Sequence, residues 1–120
     1  MGAIITDIDV EDTIYKCIKK GARLIDTGTR YKNEKKVGAG VKKALNEGIV
    51  KREDLFIVGK VWLQGREDPE IPLRHTLECF GIDYIDIYLE QWPYGKNHRK
   101  WEVSDPFKPV SVYDFWPKME

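Results

Sequence analysis

The stretch LIDTGTRYKNE, residues 24–34, predicts the end of a buried strand, a short polar loop and the beginning of a helix. Its apolar start is followed by Asp26 at the C-terminal end of the strand, and Tyr31 comes five residues later. The helix is predicted to begin near Asn33. The stretch therefore indicates one β/α unit, and it raises the question of what chemistry a carboxylate and a phenol serve at the end of that strand.

The same alternation of helix and strand continues on both sides of this stretch. Asp9 predicts the N-cap of a first helix, and the second helix is predicted over about residues 33–47. DLFIVGKVW, residues 54–62, is a continuous apolar run typical of a strand buried on both faces. A third, shorter helix with Pro72 in its first turn leads to the strand stretch IDYIDIYLEQW, residues 82–92. This order predicts right-handed βαβ units and a parallel sheet.

The length predicts a single domain, residues 1–120, that holds part of a larger fold. Three predicted parallel strands leave two open sheet edges and apolar faces that need cover. The strand expected before the first helix is reduced to GAII, residues 2–5, and residues 94–111 form a polar connection that contains prolines. VYDFWPKME, residues 112–120, predicts the beginning of a further helix, in which Pro117 is compatible with the first turn but not with the interior.

The charge balance does not favour nucleic acid or an anionic membrane as a partner. Twenty basic and twenty acidic side chains give a formal net charge of zero, and no apolar run approaches the roughly 20 residues of a membrane span. Cys17 and Cys79 belong to no metal-ligand spacing, which predicts reduced thiols in the cytoplasm or another reducing intracellular compartment. His75 and His98 have no other metal-ligand residues at a suitable spacing, so we expect both to lie on the surface and to bind no metal ion.

Three polar side chains fall at or near the C-terminal ends of the predicted strands: Asp26, Lys60 and Gln91. In a parallel β/α barrel, catalytic residues gather at this rim, and Tyr31 follows the first of the three. A neighbouring lysine favours the phenolate form of a tyrosine and so makes the phenol a better acid. An aspartate can hold such a lysine in place. Residue types and positions therefore make Tyr31 a candidate proton donor.

Three stretches resemble the aldo-keto reductase family: GARLIDTGTRYKNEKKVGAGVKKAL (21–45), GIVKREDLFIVGKVW (48–62) and GIDYIDIYLEQWP (81–93). They come in the family's order and at close to its spacing, and the resemblance runs from about residue 10 to 93. It implies an α/β fold, a (β/α)8 TIM-type barrel that uses NADPH to reduce aldehydes and ketones. Because such a barrel needs about 250 residues, we expect about its first half here, with residues 1–93 matching the family and residues 94–120 forming a loop and the start of a helix.

The resemblance also implies a role for each member of the strand-end cluster. Asp26 matches the aspartate that supports the lysine, Tyr31 the proton-donating tyrosine, and Lys60 the lysine that tunes it. Gln91 stands where the family has a histidine that orients the carbonyl and helps with proton transfer. Glutamine can form hydrogen bonds but cannot titrate, so the resemblance implies that substrate orientation is kept while a proton relay is lost.

Further candidates lie beside this cluster. Trp62 and Trp92 match aromatic positions that often line the family's substrate pocket, and the alternative is that both are core-packing residues. Glu90 replaces what is usually an apolar residue, and a carboxylate in that layer is costly to bury unless it is paired. Asp26 is a weak candidate contact for a nicotinamide ribose, and a purely structural ion pair between Asp26 and Lys60 stays open.

The second half of the barrel decides the expected function. In the family, the nicotinamide-stacking residue, the pyrophosphate loop and the clamp for the adenosine 2′-phosphate come from that half, so we expect this chain alone not to bind NADPH. We expect a truncated, non-catalytic member with a structural role in an assembly, whose open sheet edges are covered by a partner protein or by self-association. Two alternatives stay open: a partner chain or a second copy completes the barrel and restores NADPH-dependent carbonyl reduction, or the sequence is a fragment of an ordinary reductase.

Overall fold

The computed structural model describes residues 9–92 and 111–120, and helices alternate with strands there as predicted. The elements are α1 (Val10–Lys19), β1 (Leu24–Asp26), α2 (Glu34–Asn46), β2 (Phe56–Val61), α3 (Glu70–Phe80), β3 (Ile87–Glu90) and α4 (Val112–Met119). Short 3-10 turns lie at Thr29–Tyr31, Arg52–Asp54 and Leu63–Gly65. The predicted strand remnant at residues 2–5, most of the predicted connection at residues 94–111, and His98 lie outside the described residues.

The three strands form one parallel sheet in the order β1-β2-β3, as predicted. Asp26 of β1 pairs with Val58 of β2, and Lys60 of β2 pairs with Leu89 of β3. Because parallel strands end at the same edge of a sheet, this register brings the loop after β1 beside the last residues of β2 and β3. The edge formed by these C-terminal ends is where the predicted strand-end cluster meets.

The hydrophobic core lies between the sheet and the helices α1, α2 and α3. The Asp9 carboxylate caps α1 as predicted by accepting a hydrogen bond from the amide of Asp12 at 3.2 Å, and apolar residues of α1 and α2 join residues of the sheet in one buried cluster. The buried residues of this cluster are Val10, Ile14, Ile18, Ile25, Val37, Val41, Ala44, Val50, Leu55, Ile57 and Phe80. Full burial of each larger aliphatic or aromatic side chain contributes about 1.5–3 kcal/mol, so this layer is the main hydrophobic support of the sheet edge.

Two glycines let α2 pack tightly between its neighbouring helices. A Cβ atom on Gly38 would lie 2.1 Å from the carbonyl oxygen of Cys79 in α3. A Cβ atom on Gly40 would lie 2.6 Å from the carbonyl oxygen of Glu11 in α1. Both distances are too short for any side chain, so these glycines set the spacing between the three helices. That spacing fixes where α2 begins and thus where the preceding loop lies.

The opposite face of the sheet is more exposed. Its apolar residues Leu24, Phe56, Ile87 and Leu89 retain 49%, 42%, 41% and 42% of their accessible surface. Side chains alternate across a strand, so these residues share a face with Asp26 and Lys60. The prediction that the second strand is buried on both faces is wrong at Phe56, because the described helices cover one side of the sheet.

The last helix, α4, corrects the prediction for Pro117. The Ser111 hydroxyl accepts a hydrogen bond from the amide of Tyr113 at 3.2 Å, so the helix begins at Val112 and Pro117 lies inside it rather than in its first turn. The proline costs the helix one backbone hydrogen bond. The cap and the complete burial of Phe115 stabilise the short helix in spite of that loss.

Arg52 and Asp86 close the N-terminal end of the sheet. The Asp86 carboxylate accepts hydrogen bonds from Arg52 Nη2 at 2.8 Å and from the Ile57 amide at 2.7 Å. Arg52 also donates to the carbonyls of Leu55 at 2.7 Å and Tyr84 at 2.9 Å, and its guanidinium lies 3.9 Å from the centre of the Tyr84 ring. Burial opposes ionisation of Asp86, but the hydrogen bonds from Ile57 and Arg52 outweigh it and lower the pKa of this carboxyl.

The sequence also led to predictions for two cysteines, one described histidine, metal binding and membrane spans. Cys17 and Cys79 lie in helices as free thiols, whereas the predicted compartment stays a prediction. His75 is exposed, as predicted. Across residues 9–92 and 111–120, no group of three or more potential ligands is arranged to hold a metal ion. No helix within these ranges is long and apolar enough to cross a membrane.

Candidate active site

Lys60 is the centre of the polar cluster at the C-terminal edge of the sheet. Its ammonium group donates hydrogen bonds to Asp26 Oδ1, to the carbonyl oxygen of Thr27 at 3.0 Å and to the phenolic oxygen of Tyr31 at 3.2 Å. A lysine ammonium has three donors and no acceptor. All three donors are therefore used, and the side chain is held in one position between the carboxylate and the phenol.

The loop between β1 and α2 brings Tyr31 to this lysine. Tyr31 lies in the 3-10 turn Thr29–Tyr31, and the Thr29 hydroxyl donates to the carbonyl oxygen of Lys60 at 3.4 Å. A Cβ atom on Gly28 would come within 3.1 Å of the Lys60 Cβ and within 3.3 Å of Gln91 Oε1. A glycine at position 28 thus lets the loop approach both side chains closely.

The direction of the lysine–tyrosine hydrogen bond decides what the phenol can do. Because the Lys60 ammonium can only donate, Tyr31 accepts in this bond and keeps its own hydroxyl hydrogen for another acceptor. A cation 3.2 Å from the phenolic oxygen also stabilises the phenolate that remains after the proton leaves. The arrangement has the geometry of a proton donor at the open edge of the sheet.

Gln91 completes the cluster from the end of β3. Its backbone N–H donates a hydrogen bond to the carbonyl oxygen of Val61 at 3.1 Å, which extends the sheet pairing by one residue. Its side-chain oxygen is buried near Gly28 and Lys60 without a hydrogen-bond partner. The structure thus brings the three predicted strand-end residues and Tyr31 to one place, whereas their individual roles stay predictions.

The two tryptophans lie in different surroundings. Trp62 is partly buried and the guanidinium of Arg30 lies 5.2 Å from the centre of its ring. It borders a surface cleft of about 680 Å³ that Thr29, Arg30 and Ile71 also line. Trp92 is exposed at the end of the first described range. Contact of either ring with a substrate stays a prediction.

Sequence reasoning missed the partner of Glu90. Arg66, in the loop after β2, is 2% exposed, and its Nε lies 2.8 Å from Glu90 Oε1. Burial raises the pKa of the Glu90 carboxyl, and the positive charge of Arg66 partly opposes this shift. The signal that could have found the pair is the buried carboxylate itself, since a carboxylate in that layer requires a cation in reach.

The described residues fit only one end of a nicotinamide cofactor. Asp26 is partly exposed beside Tyr31 and can accept a hydrogen bond from a ribose hydroxyl, whereas the Lys60 donors are already used within the cluster. Asp26 is therefore a candidate ribose contact at this edge, and both that contact and the expectation that this chain alone does not bind NADPH stay predictions.

Comparison with known proteins identifies the fold and the family. The sequence model of the Aldo/keto reductase family matches residues 3–118. The chain is 48% identical to an NAD(P)H-dependent D-xylose reductase of Scheffersomyces stipitis, over 95% of this chain and 41% of that protein. It is 42% identical to an NADH-dependent D-xylose reductase of Candida parapsilosis, over 97% of this chain and 40% of that protein.

A solved structure agrees with these sequence matches. The crystal structure of a Bombyx mori aldo-keto reductase in complex with NADP superposes with a TM-score of 0.80 at 27% identity, covering 99% of this chain and 40% of that one. The chain thus spans about two fifths of the length of these relatives. The prediction of a partial (β/α)8 barrel is confirmed, and the chain belongs to the aldo/keto reductase family.

Proposed function

We propose that this chain carries the proton-donor half of an NAD(P)H-dependent aldehyde or ketone reductase site. The observation that supports this function most directly is the hydrogen bond from Lys60 to Tyr31, which leaves the phenolic hydrogen available to a substrate. A carbonyl oxygen at the open edge of the sheet is the acceptor that this geometry suits.

Each described side chain has a separate task in this proposal. Tyr31 donates its phenolic proton to the carbonyl oxygen as that oxygen gains negative charge. Lys60 stabilises the resulting phenolate from 3.2 Å, and Asp26 holds the ammonium group in place from the other side. A nicotinamide cofactor supplies the hydride that the carbonyl carbon receives.

Gln91 orients the carbonyl in this proposal and does not carry a proton. Its carboxamide has two N–H donors for a substrate oxygen and no group that titrates near neutral pH. Proton transfer therefore depends on Tyr31 alone. We expect the reaction to be slower than in a protein with a histidine at this position, since general acid–base groups contribute about 10²–10⁴-fold to a rate.

The hydride half of the site comes from residues outside the described part of the chain. The relatives that match this chain are more than twice its length, and one of them was solved with NADP. We propose that further residues of a longer protein, a partner chain or a second copy complete the barrel and hold the dinucleotide. Free thiols at Cys17 and Cys79 support a reducing intracellular compartment for this assembly.

A chimera tests the proposal directly. Residues 3–118 of this chain replace the matching segment of the Scheffersomyces stipitis D-xylose reductase, and NADPH-dependent reduction of D-xylose is measured. We expect measurable turnover that Tyr31→Phe lowers by about 10²–10⁴-fold, because the substitution removes the phenolic hydroxyl that donates the proton and keeps the ring. A folded chimera that binds NADPH and turns over equally well with phenylalanine at position 31 would contradict the proposal.

A second candidate function is a non-catalytic, structural role in an assembly. Two observations favour it: the titrating residue expected at position 91 is a glutamine, and four apolar residues of one sheet face stay about half exposed. Gln91→His in the chimera separates the two functions. An inactive chimera that gains turnover only with histidine supports the structural role. Measurable turnover of the glutamine chimera, slower than that of the histidine variant, supports the reductase.

NADPH binding by the purified chain provides the first measurement for both candidates. Fluorescence titration gives the affinity, and light scattering on the same sample gives the oligomeric state. Tight binding by a defined oligomer supports completion of the barrel by a second copy. Absence of binding supports completion by other residues, or the structural role.

A further inference from the structure

A second charged cluster lies behind the candidate active site, on the helix side of the sheet. Arg66 follows β2 and Glu90 is the last residue of β3, and their side chains are 3% and 11% exposed. Arg66 Nε and Glu90 Oε1 lie 2.8 Å apart, yet neither atom forms a directed hydrogen bond. The proton-donor chemistry of Tyr31 makes no use of this pair, so its presence needs another explanation.

Burial makes the two charges dependent on each other. Taking an ion out of water carries a desolvation cost comparable to the attraction that the ion regains from a close partner. Removing either partner leaves the other as an uncompensated buried charge. Arg66 and Glu90 therefore hold each other in place, and through them the loop after β2 is joined to the end of β3.

α4 closes this cluster from outside. The ring of Phe115 is completely buried, with its centre 5.0 Å from the guanidinium carbon of Arg66. Lys118 donates a hydrogen bond to the carbonyl oxygen of Glu67 at 2.7 Å. The ring of Phe115 and the hydrogen bond from Lys118 restrict the loop that carries Arg66.

The pair acts on the candidate site through the alternation of side chains along β3. Since Glu90 points to the helix side, Gln91 points to the opposite side, where its oxygen lies next to Gly28 and Lys60. We propose that the Arg66–Glu90 pair, packed against Phe115, is a positioning unit that fixes the end of β3 and thereby presents Gln91 to the site of Tyr31. The inference rests on the proposed function for the use of Gln91, but its test requires no turnover.

Nuclear magnetic resonance on the ¹⁵N-labelled full chain measures the position of Gln91. Its side-chain amide signal is assigned by its loss in Gln91→Ala. In Arg66→Met, which lies far from Gln91 in sequence, we expect this signal to move toward the position of a solvent-exposed glutamine. An unchanged Gln91 signal in folded Arg66→Met would overturn the proposal.

The double substitution R66M/E90L covers the case in which the single variant does not fold. It removes both charges together and leaves no unpaired ion, so we expect a folded protein in which Gln91 is still displaced. A folded double variant with the wild-type Gln91 signal would mean that the cluster serves packing alone. That result would also overturn the proposal.

Arg52→Gln is the matched control at the other end of the same strands. It weakens an arginine–carboxylate pair of similar separation, 2.8 Å in both cases, without touching the end of β3. We expect lower stability and an unchanged Gln91 signal, and an equal displacement of Gln91 in this control would count against a specific role of Arg66. None of these experiments measures activity. Failure of the proposed function in the chimera can therefore be distinguished from failure of the positioning proposal.

Discussion

The two ends of the β2–β3 pair are each closed by an arginine and a carboxylate, and the two pairs differ in how completely they are hydrogen-bonded. At the N-terminal end, Asp86 accepts from both Arg52 and a backbone amide, and its pKa is lowered. At the C-terminal end, Glu90 and Arg66 meet without a directed hydrogen bond, and the pKa of Glu90 is raised.

This difference shows which end of the sheet gains stability from its ion pair and which end carries a pair whose ionisation costs stability. Ionised Asp86 is favoured by the folded state, so the N-terminal pair supports the fold. Ionised Glu90 is disfavoured by the folded state, so the C-terminal pair is retained at a cost in stability. The costly pair lies at the edge that also carries Lys60, and in parallel β/α barrels that edge is the one that carries function.

The largest expected effect is at the C-terminal end. In the chimera, Lys60→Met removes the cation beside Tyr31, and we expect turnover to fall by about 10²–10⁴-fold because the phenolate loses its stabilising charge. Steady-state kinetics measures the loss, and circular dichroism checks that the fold is kept. Undiminished turnover would show that the Asp26–Lys60 pair is structural only.

The next effect is at the N-terminal end, where we expect a loss of stability. Asp86→Asn should lower the free energy of unfolding by about 2 kcal/mol at neutral pH, because it removes a charged acceptor from Arg52 and Ile57. Urea unfolding measures the change. At a temperature where the chimera stays folded, we expect Asp86→Asn to leave its turnover unchanged.

The pH dependence of this variant sharpens the contrast. Because the folded-state pKa of Asp86 is lowered, its contribution to stability is present above the unfolded pKa of about 3.9 and is lost as the pH falls through the folded value. Asp86→Asn should lack that part of the acid dependence. Identical pH profiles of the two proteins below about pH 4 would contradict the assignment.

Glu90→Gln should have a smaller effect with the opposite pH dependence. Since the folded-state pKa of Glu90 is raised, its ionisation costs stability as the pH rises from the unfolded value of about 4.3 through the folded value. A neutral glutamine avoids that cost and keeps an oxygen acceptor near Arg66, and both effects offset the penalty of leaving the buried guanidinium without its counter-charge. We therefore expect a net change within about 1 kcal/mol at neutral pH. A loss larger than that of Asp86→Asn would reverse the comparison of the two ends.

The smallest effect is expected for an ion pair away from both ends. Arg74 and Glu70 lie one turn apart on the surface of α3, with side chains 71% and 61% exposed. Water screens such a pair, so Arg74→Gln should change the free energy of unfolding by less than about 0.5 kcal/mol. Chemical unfolding measures this change in the free energy of unfolding. A loss as large as that of Asp86→Asn would mean that the contribution of an ion pair does not depend on its burial.

The parallel sheet and the strand-end cluster were predictable because both depend on local patterns. Apolar runs such as residues 54–62 and the cap at Asp9 predicted the elements, and parallel strands placed Asp26, Lys60 and Gln91 at one edge. Pro117 was misjudged, because the burial of Phe115 and the cap at Ser111 outweigh the local preference of proline.

The sequence by itself determined the alternation of strands and helices, the position of the polar cluster and the resemblance to one family, because hydrophobic periodicity and residue order are local properties. Only the tertiary structure decided that Lys60 uses all three donors, that Gly38 and Gly40 set the helix spacing and that Arg66 pairs with Glu90. These features join residues far apart in the chain. Their energies depend on distance and burial, which a linear pattern does not contain.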